Sequence, residues 1–320
     1  MIKTSTPAET GRLENPLGYK DSIMMLGSCF SDEMAAIMKS LYFNVSSNPT
    51  GTLYNPESIA GAIRRMDSGE HFTADDTEEV GAGIKAYCSF HHHTSFASAS
   101  AEVFLEKANK ALDDASGHFR TSGYMAVTFG TSWAYRHKGR GITVANCLRH
   151  GQKEFERFFL TADDTFRIWD GIVKDFPEKT WIFTVSPIRH LKDGAHGNAL
   201  SKAALLLAVD KLCACNANCR YFPAFEIMND ELRDYRYYAE DMAHPSRLAV
   251  KIIWEKFSEY ALDTDSLALL SEAASVKAAA NHRPLFPELA ESESLLMKNR
   301  MREEDFIKKI SMLKAKTLTL

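Results

Sequence analysis

Ile23-Met24-Met25-Leu26-Gly27-Ser28-Cys29-Phe30-Ser31-Asp32-Glu33 decides how this chain is read. Four apolar residues run into a glycine turn, the mark of a buried strand. Ser31 can then cap a helix reaching about Leu41, with Asp32 and Glu33 at its positive end. The same alternation continues downstream. Further strands are expected at residues 43–45, 84–90, 124–129, 181–185 and 221–227, and a hairpin at 135–144. Helices are expected at 56–66, 101–115, 165–176, 199–212 and 245–261. Strands alternating with helices predict a parallel sheet covered on both faces, a three-layer α/β/α architecture.

The 320 residues are 45% hydrophobic and 25% charged, an ordinary globular composition. A core of this size needs neither disulfides nor metals. The formal net charge of -4 provides no basic stripe for nucleic acid. The first ten residues lack the apolar run of a signal peptide, and no stretch of about 18 apolar residues occurs. Cys29, Cys88, Cys147, Cys213, Cys215 and Cys219 are too sparse for a disulfide scaffold. The expectation is a cytoplasmic protein with no nucleic-acid or membrane partner. From Asp263 onward the chain is polar and helix-prone, and 283–316 holds an amphipathic helix with Leu295, Leu296, Met301, Phe306 and Ile310. This reads as a C-terminal helical extension (263–320), either a lid or a face for homo-oligomers.

In an open parallel sheet the ligand crevice lies beyond the carboxyl ends of the strands. Ser28 stands there, at a helix start whose N–H groups and dipole suit a developing oxyanion. By itself it also reads as a capping serine. Asp241-Met242-Ala243-His244-Pro245 adds a carboxylate and an imidazole on one loop. The aspartate can fix the histidine's tautomer, and the histidine can deprotonate a serine. Cys29 competes as nucleophile, since a helix start lowers a thiol pKa. Against it, adjacent side chains on an extended strand end diverge, which is expected to turn Cys29 away from the site. His190 competes as base, although Arg189 and His190 better suit binding substrate oxygens or ordering their loop. His91-His92-His93 alternates faces too quickly to favour one metal ion, so no metal or cofactor is expected. Trp133 and Tyr135 read equally as a sugar-stacking platform or as core.

Gly27-Ser28-Cys29-Phe30 is also the name motif of the GSCFA family, bacterial proteins distantly similar to SGNH (GDSL-like) hydrolases. The resemblance runs from about Leu26 to Phe257. It includes Asn48-Pro49-Thr50-Gly51-Thr52-Leu53-Tyr54-Asn55-Pro56 and Thr128-Phe129-Gly130-Thr131-Ser132-Trp133-Ala134-Tyr135. It continues through Thr184-Val185-Ser186-Pro187-Ile188-Arg189-His190-Leu191-Lys192-Asp193-Gly194 and Asp230-Glu231-Leu232-Arg233-Asp234-Tyr235-Arg236. The resemblance implies a flavodoxin-like catalytic domain over 1–262 and a Ser28-His244-Asp241 triad. It also implies an oxyanion hole from the N–H groups of Ser28 and Gly51. The asparagine usual in the third block is absent. Ser132 stands at the matching position, and Asn146 and Asn48 are alternative donors. The implied activity is a serine esterase removing small acyl groups, O-acetyl from a carbohydrate above all. Acyl transfer at the same site and a non-catalytic ligand-binding protein are the alternatives.

Overall fold

The structure, a computed structural model, describes residues 5–286 and 288–316. Five parallel strands build the central sheet: β1 (Ser22–Gly27), β2 (Asn44–Ser47), β3 (Tyr124–Phe129), β4 (Thr180–Val185) and β5 (Cys219–Tyr221). Their order across the sheet is β2-β1-β3-β4-β5, which is the flavodoxin-like order. The chain reverses its direction of progress between β1 and β3, so the crevice opens beyond Gly27 and Phe129.

Alternation along the strands assigns the two faces. Met24, Leu26, Met125, Val127, Trp181 and Phe183 point into one core. That core is covered by α2 (Pro56–Ser68), α3 (Ala101–Thr121), α4 (Ala162–Asp175) and α5 (Gly194–Cys215). Trp169 sits at its centre, edge-on to Phe129, Trp181 and Phe183, and its indole N–H donates to Pro56 O at 3.2 Å. Ile23, Met25, Ala126 and Ile182 face the other way. There they meet α1 (Cys29–Ser40), α6 (Arg247–Ala261), α7 (Thr264–Ala280) and α8 (Ala290–Lys316).

Several boundaries differ from the sequence reading. Helix α1 opens at Cys29 with Ser28 as its N-cap, and Ser31 instead bonds Leu26 O and the Thr128 hydroxyl inside the turn. Only Tyr87–Cys88 of 84–90 pairs as strand. The chain turns helical at Ala224, so the expected strand at 221–227 ends at Tyr221. Residues Phe155–Phe159 add a third strand to the hairpin, forming an antiparallel sheet with Trp133–His137 and Ile142–Val144.

The two C-terminal helices share the second core through Ala273, Val276, Phe306 and Ile310. Phe306 packs edge-on against Tyr19, and Tyr42 donates a 2.7 Å hydrogen bond to Glu303. Tyr19, Tyr42 and Phe43 precede β1 and β2, so this contact lies toward the amino ends of the strands. Among the described residues no helix is long and apolar enough to cross a membrane.

Candidate active site

The turn after β1 exists because position 27 is glycine. Its φ is +120°, and a Cβ there would stand 2.1 Å from Thr128 O on the neighbouring strand. Gly27 donates its N–H to Asn48 Oδ1 at 2.8 Å, and Ser28 donates its own to Thr128 O at 3.2 Å. Asn48 is thereby a support of the turn. The Ser28 side chain is fully buried, and its hydroxyl donates to Ser186 Oγ at 3.1 Å.

Behind that pair lies Lys202, an ammonium in the apolar helix α5 with 1% of its surface exposed. Its Nζ donates to Gly130 O at 2.7 Å and to Ser186 O at 2.8 Å. Lys202 therefore ties the loops after β3 and β4 together. Burial pushes its pKa down to about 7. The sequence signal for it is a lysine inside the apolar run of α5, which periodicity alone reads as ordinary helix.

Cys29, not Ser28, reaches the crevice. It lines a cleft of about 280 Å³ together with Tyr54, Asn55, Thr131, Trp133, Tyr135, Val144, Ala145, Ile188, Arg189, His190 and His244. Adjacent side chains do diverge at this strand end, as expected, but in the opposite sense: the hydroxyl turns inward and the thiol outward. Partial burial raises the Cys29 pKa. The N–H of Cys29 itself pulls the other way, Asp32 and Glu33 push up, and the N–H of Phe30 pulls down.

His244 and Asp241 are brought together as the loop motif implied. Asp241 Oδ1 accepts the N–H groups of Ala243 and His244, each at 2.9 Å, and Oδ2 stands 2.5 Å from His244 Nδ1. Those backbone donors, with the imidazole, lower the Asp241 pKa to about 2. The carboxylate accepts at Nδ1, which leaves Nε2 as the nitrogen available for proton transfer.

Arg189 serves this loop. It donates its N–H to Ala243 O at 3.1 Å and its guanidinium to Met242 O at 3.2 Å. His190 is held by Asn198, which accepts its backbone N–H at 2.8 Å, and its ring meets Tyr54 edge-on. Burial, then the charges of Lys202 and His244, lower its pKa to about 4, so the ring is neutral at pH 7. Its Nε2 is buried with no hydrogen-bond partner among the described residues.

The expected oxyanion donors are engaged elsewhere. The Ser28 N–H is committed to Thr128, and the Gly51 N–H donates to Asn48 O at 2.8 Å. Gly51 is required for another reason: its φ is +79°, and a Cβ would lie 2.5 Å from that of His93. Ser132 is fully buried and satisfied by Ser201, donating its N–H to the Ser201 hydroxyl oxygen and its own hydroxyl to the Ser201 carbonyl. Asn146 donates to His92 O and accepts from the Leu148 N–H. The first-turn N–H groups of α1 at Cys29 and Phe30 have no intrahelical acceptor and face the Cys29 sulfur.

A larger groove, about 570 Å³, runs between α2 and the Ile142–Val144 strand, and Ala145 borders both spaces. His91 and Arg65 line it, with Arg65 already held by Asp76 and Glu70. Among the described residues that line it, no hydroxyl bonds a histidine or carboxylate, so its size does not make it the reaction site. Of the three consecutive histidines, His92 is buried against Phe72, Phe96 and Phe104 and donates or accepts at Ser89, while His93 caps a short helical turn.

One solved structure similar to this chain is an acetyl xylan esterase from the rumen bacterium Butyrivibrio proteoclasticus. The two are 11% identical with a TM-score of 0.38, over 75% of this chain and 63% of that one. The chain thus spans less than two thirds of that protein's length. No curated protein matches. The model of the GSCFA family matches residues 22–257, and the chain belongs to that family.

Proposed function

We propose that the cleft cleaves small acyl esters through a covalent acyl-enzyme. The observation that carries the reading is the His244–Asp241 pair, 2.5 Å apart, with His244 lining the same cleft as the turn that ends β1. Asp241 holds Nδ1, so His244 Nε2 takes a proton from a nucleophile in the Gly27-Ser28-Cys29 turn and returns it to the leaving alcohol. The amide groups at the start of α1 are the donors assigned to the developing oxyanion. Water then attacks the acyl-enzyme, again with His244 as base, and releases the acid.

The acyl group is small, because a cleft of about 280 Å³ with Val144, Ala145 and Ile188 in its walls has little room for a long chain. Trp133, one face of which carries the Arg157 guanidinium at 3.9 Å, and Tyr135 line the cleft with aromatic carbon, which supports an O-acetyl carbohydrate as substrate. An alcohol bound in place of water makes the same groups an acyltransferase. The test is turnover of 4-nitrophenyl acetate by purified protein and by His244→Ala. The reading expects measurable hydrolysis that falls by roughly 10³-fold or more in the variant. Equal rates in the two proteins would remove it.

A further inference from the structure

We propose that Cys29 is the nucleophile of this site and that Ser28 is a support beneath it. The inference rests on the acyl-ester reading of the cleft and goes beyond it in naming the attacking atom as sulfur.

Four observations converge. The Ser28 hydroxyl is sealed from solvent and donates to Ser186, whose carbonyl is held by Lys202. Bringing it into the cleft would break that bond and leave Ser186 and Ser28 to be satisfied anew in the interior. Cys29 already lines the cleft, in company with His244. It is the first residue of α1, where its own N–H and that of Phe30 bear on the sulfur and favour negative charge there. Finally, the cleft brings further acyl-transfer equipment to this thiol, a histidine oriented by an aspartate. Cysteine, histidine and an orienting side chain form a complete covalent apparatus.

The thiol is protonated at rest, since burial holds its pKa above the ordinary thiol value. His244 Nε2 therefore removes the Sγ proton as the sulfur attacks the acyl carbon. An Sγ–C bond forms, the carbon–oxygen bond to the alcohol breaks, and the imidazolium proton passes to the departing oxygen. Water adds to the resulting thioester, gives one proton to His244, and the expelled thiolate recovers it. No oxidant or reductant is needed.

The experiment combines acid-quenched peptide mapping after 4-nitrophenyl acetate with timed iodoacetamide alkylation of the folded protein, for wild type, Cys29→Ala, Ser28→Ala and His244→Ala. The proposal expects acetyl on the Cys29 sulfur, placed there rather than on the adjacent Ser28 by fragmentation of the peptide that holds both. It expects turnover to fall roughly 10³-fold or more in folded Cys29→Ala, and Cys29 alkylation to slow several-fold in His244→Ala. Acetyl on Ser28, or undiminished turnover in Cys29→Ala, overturns it while leaving the esterase reading intact. If wild type hydrolyses no ester, that reading fails by itself. The alkylation then decides Cys29 separately, and a rate indifferent to His244 refutes its activation. Ser28→Ala that fails to fold agrees with a supporting role but is not needed, because the mapping is done on wild type.

Discussion

Replacing Gly27 with alanine tests the physical basis of the turn on which both fold and site depend. The φ of +120° belongs to a region essentially reserved for glycine, and forcing another residue there costs about 1–3 kcal/mol. The added Cβ would meet Thr128 O at 2.1 Å, whereas a carbon–oxygen contact needs about 3.3 Å, so β1 and β3 must part by about 1 Å. That separation weakens the Ser28 N–H bond to Thr128 O, which contributes about 1 kcal/mol. The total is about 2–4 kcal/mol, a large part of the 5–15 kcal/mol that usually holds a domain folded. Urea unfolding followed by tryptophan fluorescence measures it directly, because Trp169 and Trp181 are buried in the core that would loosen. A Gly27→Ala protein within about 1 kcal/mol of wild type would refute the account of the turn.

Lys202→Met should change how stability depends on pH. The buried ammonium titrates at about 7 in the folded chain and at about 10.4 unfolded, so between those values the unfolded state holds more protons and wild-type stability rises with pH. From pH 7 to 9 wild type should gain on the variant by about 2–3 kcal/mol. Parallel urea midpoints at the two pH values would contradict the assignment. Asp241→Asn should lower kcat by about 10² to 10⁴-fold with an unchanged circular dichroism spectrum, since Asp241 is exposed and acts through His244. The Asp241 carboxylate titrates near 2, so its protonation should remove no activity above about pH 4. Phe306→Ala should destabilise the fold by about 3–5 kcal/mol through the cavity left against Tyr19 and Tyr42. It should leave turnover per folded molecule unchanged, because no residue of α7 or α8 lines the cleft among those described.

The three central strands are legible because they are short apolar runs closed by glycine or by Ser-Pro, the pattern of a buried parallel strand. The edges were less so. At 221–227 the apolar run continues across the strand end into a helical turn, and periodicity alone cannot separate the two over so few residues. The loop dyad could be read because Asp241 and His244 are three residues apart, and a local turn suffices to join them. The oxyanion donors could not be read, because each depends on whether an N–H or amide is already spent on a neighbour distant in sequence. Ser132 is spent on Ser201, and Ser28 on Thr128 and Ser186. The orientations of the Ser28 and Cys29 side chains have the same origin. Sequence says that adjacent side chains diverge, but only the packing of β1 against β3 and α1 fixes which one turns outward. The extension after Asp263 showed its helices plainly. Its position toward the amino ends of β1 and β2 depends on the Tyr19, Tyr42 and Phe43 contacts, which no local pattern announces.

The central claim is that His244 drives covalent acyl transfer in this cleft, and rapid acid quench of the protein with excess 4-nitrophenyl acetate, followed by intact mass, tests it most directly. The account predicts a single acetyl adduct that builds up in wild type within the first turnover and forms far more slowly in His244→Ala. Turnover without any adduct, or an adduct forming equally fast in the variant, would contradict it.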